Sequence, residues 1–182
     1  MQSLIIHMAS ATARKDNVNT LLSTLPNAHV VEAETGLGHT TYPGTLHEPH
    51  YPFALSPGEV GCARSHRKCW QWIIDQDVEY ALICEDDLSL DPTLWEDSLV
   101  LIEQSANRDS FIRLPAKNRE TPVKVFETTA NAKLFLPKMI GLQTVCQVVG
   151  QNAARRLLNA TTTLDRPVDT LLQMHWVHHQ PI

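Results

Sequence analysis

The chain of 182 residues has no Cys-x-x-Cys pair, and its four cysteines, at 62, 69, 84 and 146, each sit in an apolar run. They read as reduced, buried small hydrophobes of a cytosolic protein rather than as a disulfide framework. A chain of this size buries roughly 70% of the surface its unfolded form exposes, so folding needs neither disulfides nor a structural metal. There is no surplus of basic residues: 15 Lys and Arg face 20 Asp and Glu, for a net charge of −5. That excludes a dedicated duplex-DNA binder and leaves no nucleic-acid partner to expect. The N-terminus lacks a basic start, and its apolar stretch is too short for a signal peptide. The uncharged stretch 139–154 carries Gln143, Thr144, Gln147, Gln151 and Asn152, which makes it too polar and too short to span a bilayer. At most a peripheral membrane contact remains. With 43% hydrophobic and 19% charged residues, and no internal repeat, the composition is that of one globular domain over 1–182.

One further absence is local. No Lys or Arg occurs between Lys68 and Arg108, whereas ten of the twenty acids do. The next stretch, Arg108 to Lys138, reverses this with seven of the fifteen bases and three acids. The basic block is either a set of exposed hairpin residues or a surface for phosphates or an anionic acceptor.

Short apolar runs alternate with helical patterns. Leu4–His7 and Ala28–Ala33 predict strands, and Lys15–Leu25 a helix with Leu21, Leu22 and Leu25 on one side. Residues 34–56, rich in Gly, Pro, Thr and His, predict a long loop of the kind that is often functional, where His47 and His50 either contact substrate or face solvent. Ser56-Pro57-Gly58-Glu59 is a capping box with Pro at the first helical position, opening a helix to about Asp75. On that helix Cys62, His66, Cys69 and Ile73 form an apolar stripe. Gly58, Gly61 and Ser65 form a small-residue face that admits another backbone or a ligand. Tyr80–Cys84 predicts a central strand buried on both faces, and Asp91-Pro92 caps a helix to about Ser105. Ser110–Leu114, Val123–Glu127 and Ala132–Leu136 read as shorter strands of hairpins, Val145–Val149 as another strand, Gln151–Asn159 as a helix, and Pro167-Val168-Asp169-Thr170 as the start of a last short element. The alternation predicts an α/β fold with a mixed, mostly parallel sheet flanked by helices.

The sharpest feature is Glu85-Asp86-Asp87 at the end of the central strand. Ligands of open α/β sheets bind beyond the carboxyl ends of strands, and adjacent carboxylates repel unless a cation relieves them. Mg²⁺ or Mn²⁺ holding a nucleotide diphosphate suits such a triplet; a solvated turn with Asp87 or Asp91 capping a helix is the plain alternative. His66 is either a core residue or a pocket residue. Ser65 and His66 point about 100° apart on a helix, which excludes a serine nucleophile activated by its neighbour. His175 and His179 have the spacing of metal ligands, but no Glu lies between them in the zincin pattern.

Leu55-Ser-Pro-Gly-Glu-Val-Gly-Cys-Ala-Arg-Ser-His66 followed by Tyr80-Ala-Leu-Ile-Cys-Glu-Asp-Asp87 resembles glycosyltransferase family 25. That family includes bacterial lipooligosaccharide galactosyltransferases and the collagen galactosyltransferase domains. The match is strongest over 55–87. Ile5-Ile6-His7-Met8 with Arg14, Val30–Ala33 with Gly36, Gln143–Leu158 and Pro167–Asp169 agree more loosely.

The resemblance implies a GT-A-like nucleotide-sugar fold, a UDP-sugar donor, Mn²⁺ or Mg²⁺, and a saccharide or glycolipid acceptor such as a lipooligosaccharide. It places metal on Asp86 and Asp87, with Glu85 beside them, and Glu59, Ser65 and His66 around the donor. Arg14 would meet the nucleotide or its phosphates. Asp169 is the candidate base and Asp87 the other catalytic carboxylate of an inverting transfer at the cytoplasmic side of the membrane. The chain is shorter than family members usually are, which points to a reduced C-terminal acceptor region, and Cys146 stands where an aromatic residue is more typical. A non-catalytic sugar-nucleotide or partner-binding protein of the same fold is the second expectation. The third is a Mg²⁺-dependent phosphate-ester hydrolase, against which the end of the first strand, His7-Met8, offers no Asp-x-Asp.

Overall fold

The computed structural model describes residues 1–37, 51–115, 117 and 119–178. Five strands form the main sheet: β1 (Gln2–His7), β2 (Ala28–Glu32), β3 (Tyr80–Glu85), β4 (Phe111–Arg113) and β7 (Cys146–Gly150). Their order is β2-β1-β3-β7-β4. β2, β1 and β3 run parallel, and β7 is antiparallel to both of its neighbours. The sheet is thus mixed, as the alternating pattern predicts, but with two parallel and two antiparallel pairings rather than mostly parallel ones. Strands β5 (Pro122–Thr128) and β6 (Lys133–Pro137) pair as a separate two-stranded hairpin. Residues 110–114, which resemble the hairpin strands in length, instead add an edge strand to the main sheet.

The continuous apolar runs are explained by burial on both faces. Leu4, Ile6, Ala81 and Ile83 point to one side, under α2 (Pro57–Asp75) and α4 (Gln151–Ala160). Ile5, Leu82 and Cys84 point to the other, under α1 (Lys15–Thr24) and α3 (Pro92–Ser105). α1 turns Val18, Leu21 and Leu25 inward, while Leu22 is 38% exposed. The expected Leu21-Leu22-Leu25 face is therefore corrected: the i, i+3, i+7 row from Val18 is buried, and Leu22 lies about 100° off it. Because α1 and α2 cover opposite faces, the connections leaving β1 and entering β3 part company there. The resulting crevice at the carboxyl ends of β1 and β3 is a topological switch point.

α2 begins as its sequence dictates. Ser56 Oγ accepts from the Glu59 amide at 3.2 Å, and the Glu59 carboxylate accepts from the Ser56 amide at 2.7 Å. Its small-residue face is filled by backbone. A Cβ on Gly61 would lie 2.7 Å from the Glu34 carbonyl oxygen, and one on Gly36 would lie 2.1 Å from that of Pro57. Ser65 Oγ donates to the Gly61 carbonyl and accepts from the Glu34 amide at 2.9 Å. Gly61→Val is therefore expected to lower stability by about 1–3 kcal/mol through overpacking. An unchanged thermal midpoint for that variant would show the contact to be looser than described. Among the described residues no helix is long and apolar enough to cross a membrane.

Candidate functional site

Strand alternation sorts the acidic triplet. Odd residues of β3 face α2, so Glu85 continues the row of Ala81 and Ile83, and Thr144 Oγ1 donates to its carboxylate at 2.5 Å. Asp86 falls on the α1 side with His7, which closes β1. His7 Nδ1 lies 2.8 Å from Asp86 Oδ2. Arg14, from a short 3-10 turn before α1, reaches Asp86 Oδ1 at 3.2 Å and Asp87 Oδ2 at 3.0 Å. Asn17 Nδ2 donates to the carbonyls of Asp86 and Leu88, fixing the turn. The mutual repulsion expected of three adjacent acids is thus relieved by a guanidinium. The hydrogen bond and charge of Asp87 in turn raise the pKa of Arg14.

Two clefts meet at Glu85 and Cys62. The first, about 430 Å³, is bounded by the segment after β2 and the start of α2, with Gly36, Ser65, His66 and Asp86 on its walls. The second, about 470 Å³, is lined by Tyr51, Glu59, Asp87, Gln143, Thr144 and Asp169 as well as Glu85 and Cys62. Asp169 belongs to α5 (Val168–Gln173). Its Oδ2 accepts from the Gln143 amide at 3.1 Å and its Oδ1 from the Thr170 amide at 2.7 Å. Gln143 adopts φ 82°, and Arg113 braces that bend by donating to the carbonyls of Leu142 and Gln143, each at 3.0 Å.

The structure therefore brings Glu59, Glu85, Asp87 and Asp169 to one cleft, and Ser65, His66, Glu85 and Asp86 to the adjoining one. Arg14 sits on the acidic turn. Two expected donor contacts have local duties as well, since the Ser65 hydroxyl serves α2 and the Glu59 carboxylate completes the capping box. His7, Asn17, Cys62 and Thr144 were not predicted as site residues. The available signals were a polar residue ending an apolar strand and a cysteine one helical turn before His66. Thr144 and Asn17 reach the triplet only through pairings distant in sequence, so no local signal marks them.

The basic stretch does not line either cleft among the described residues. Arg113 pairs with Glu120, Arg108 reaches Asp77 at 3.5 Å, and Lys124 and Lys133 lie over the rings of Phe126 and Phe135. Asp75 and Asp77 are exposed surface acids, Asp77 beside Arg108 and Asp75 accepting from Gln71. A separate, mostly apolar cavity of about 330 Å³ under the hairpin is lined by Phe111, Phe126 and Phe135 and also by His175, which therefore lies away from the acidic turn. His47, His50 and His179 lie outside the described residues.

Two groups of side chains carry atoms of the kinds that ligate metals. The acidic turn offers hard carboxylate oxygens. Cys62, His66 and Glu85 each place one ligand atom within 4.8 Å of the others. All four cysteines are free thiols. Burial pushes the Cys62 thiol up to about 11, with the charge of Glu85 adding to the shift. Burial likewise pushes Cys69 and Cys84 to about 12.

The sequence is similar to those of known proteins. Residues 1–172 match the family described as glycosyltransferase family 25 (LPS biosynthesis protein). A procollagen galactosyltransferase 2 of Homo sapiens is 26% identical over 199 residues, covering 96% of this chain and 30% of that protein. A glycosyltransferase 25 family member of Drosophila melanogaster is 24% identical over 134 residues, 72% of this chain and 22% of that protein. A procollagen galactosyltransferase 1 of Danio rerio is 40% identical over 62 residues, 34% of this chain and 10% of that protein. The chain thus spans less than a third of the length of these relatives.

Proposed function

The chain belongs to glycosyltransferase family 25, and from that premise we propose that it transfers a sugar, galactose, from a UDP-sugar to a saccharide acceptor such as a lipooligosaccharide. The reading includes a GT-A-like fold, inversion at the anomeric carbon, Mn²⁺ or Mg²⁺, and work at the cytoplasmic side of a membrane. One observation carries it: Glu85 divides two adjoining clefts at the switch point, and Asp87 and Asp169 share the second. Two substrates that must meet need two such adjoining spaces.

Asp86 and Asp87 supply only oxygen, and the Asp87 side chain is 47% exposed. This fits a hard divalent ion that takes one or two carboxylates and completes its shell with phosphate oxygens. Bound there, the ion would supply neutralisation of the charge on the departing diphosphate.

The remaining steps fall to the chain itself. Arg14 is 43% exposed and already engaged by carboxylates. Its fork suits phosphate equally well, so it meets the diphosphate. Asp169, held by two backbone amides, accepts the proton of the acceptor hydroxyl. The hydroxyl oxygen bonds to the anomeric carbon as the bond to the diphosphate oxygen breaks, and the electron pair leaves with UDP. One base and no covalent intermediate give inversion. Ser65 and His66 shape the donor side, while Glu59 keeps the start of α2 in place.

Calorimetric titration with UDP-galactose tests this reading: binding is expected to require Mn²⁺ or Mg²⁺. Arg14→Gln is expected to weaken it about 10–100-fold, the loss of one charge-assisted contact. Metal-dependent binding without turnover would instead identify a non-catalytic sugar-nucleotide binder. Absence of binding in the wild type would overturn both readings.

A further inference from the structure

We propose that Cys62, His66 and Glu85 form a second cation site, selective for a borderline-soft divalent ion of the zinc type. It is distinct from the all-oxygen acidic turn and independent of the sugar-transfer reading. Four observations converge. The i, i+4 spacing on α2 stacks Cys62 and His66, and Cys62 Sγ lies 3.7 Å from His66 Nδ1. Strand alternation turns Glu85 toward the same helix, so that one ligand atom from each residue lies within 4.8 Å of the others. Zinc bonds of ~2.0–2.3 Å to N, O and S set tetrahedral ligand atoms ~3.3–3.8 Å apart, so closure takes about an ångström of side-chain movement.

The third observation is an orphaned group. His66 is 1% exposed. Its Nδ1 lies 3.0 Å from the Cys62 carbonyl oxygen, and its Nε2 is buried with no hydrogen-bond partner among the described residues. A buried ring nitrogen in that state calls for a partner. Donation from Nδ1 to that carbonyl leaves Nε2 as the ligand nitrogen, the usual arrangement of a metal-bound histidine; the 3.7 Å approach of Cys62 Sγ is to the anchoring nitrogen of the same ring. The fourth is outer support on the carboxylate, since Thr144 Oγ1 donates to Glu85 Oε1 and fixes its direction.

Thiolate and imidazole select zinc-type ions, whereas oxygen-only sets suit Mg²⁺ and Mn²⁺. Three protein ligands leave a fourth position for water. Coordination replaces the Cys62 thiol proton, which passes to solvent. An ion here ties Glu85 to α2 at the boundary between the two clefts.

Titration of the wild-type protein with Co²⁺ tests the site without any sugar nucleotide. One equivalent should give a thiolate-to-cobalt charge-transfer band and the intense d–d bands of four-coordinate cobalt. Zn²⁺ should abolish both, and excess Mg²⁺ should leave both in place. Cys62→Ser should lose the charge-transfer band, whereas Asp87→Asn should keep it. No band in the wild type, an undiminished band in Cys62→Ser, or its loss in folded Asp87→Asn would overturn the proposal. X-ray absorption of the zinc-loaded wild type supplies a measurement that needs no variant. One sulfur at ~2.3 Å with nitrogen and oxygen ligands at ~2.0–2.2 Å is expected, and a shell of oxygen alone would contradict the site.

Discussion

Asp87→Asn is expected to lower sugar transfer about 10²–10³-fold, the cost of removing one preorganised group that stabilises transition-state charge. Asp87 faces the same cleft as Asp169. It is the most open carboxylate of the triplet, since Asp86 is held between His7 and Arg14 and Glu85 by Thr144. The substitution keeps the shape and removes the charge that would hold a divalent cation. Its effect on stability should be small, because the pair it makes with Arg14 is exposed on both sides and solvent screens such pairs. Steady-state rates and urea denaturation of the same preparation separate the two effects. A variant that retains more than about a tenth of wild-type turnover would remove Asp87 from the chemistry. A variant that unfolds would mean that the acidic turn is structural.

Trp70→Ala carries the largest expected loss of stability, about 3–5 kcal/mol, a large part of the ~5–15 kcal/mol typical of a whole domain. Trp70 is completely buried. It belongs to the core shared by α2, α4 and the sheet face formed by Leu4, Ile6 and Ile83, and its ring centroid lies 6.3 Å from that of His66. The indole removed would leave a cavity that close-packed neighbours fill only in part. The consequence reaches function, because α2 carries Glu59, Cys62, Ser65 and His66. Trp70→Phe, which also removes an indole N–H that has no partner among the described residues, should cost much less than the alanine. A urea midpoint for Trp70→Ala close to that of the wild type would contradict the packing described.

Much of the frame was legible because local chemistry and tertiary packing agree. Ser56-Pro57-Gly58-Glu59 can hardly do anything but begin a helix, and Asp91-Pro92 begins another for the same reason. The run Tyr80–Cys84, apolar at nearly every position, requires cover on both faces and therefore a central strand. What stayed hidden depends on residues that meet only after folding. The pairing of His7 with Asp86 follows from the register of β1 on β3. The contact of Thr144 with Glu85 follows from the antiparallel return of β7, which periodicity does not announce. The assignment of residues 110–114 to the sheet edge rather than to a hairpin is equally a matter of register. The small-residue face of α2 was visible in the sequence, but what it admits is the backbone of residues 34–36, which only the packing reveals. The triplet itself was legible as a site. Its division into one acid facing α2, one facing α1 and one facing the cleft follows from strand alternation and could have been read from Ile83 onward.

The most direct test of the account is UDP release from UDP-galactose, measured with saccharide acceptor in the presence of Mn²⁺ and again after chelation, for the wild type and for Asp87→Asn. Acceptor-stimulated release in the wild type is expected to collapse on chelation and to fall about 10²–10³-fold with the substitution. Release that is indifferent to both the metal and Asp87 would contradict it.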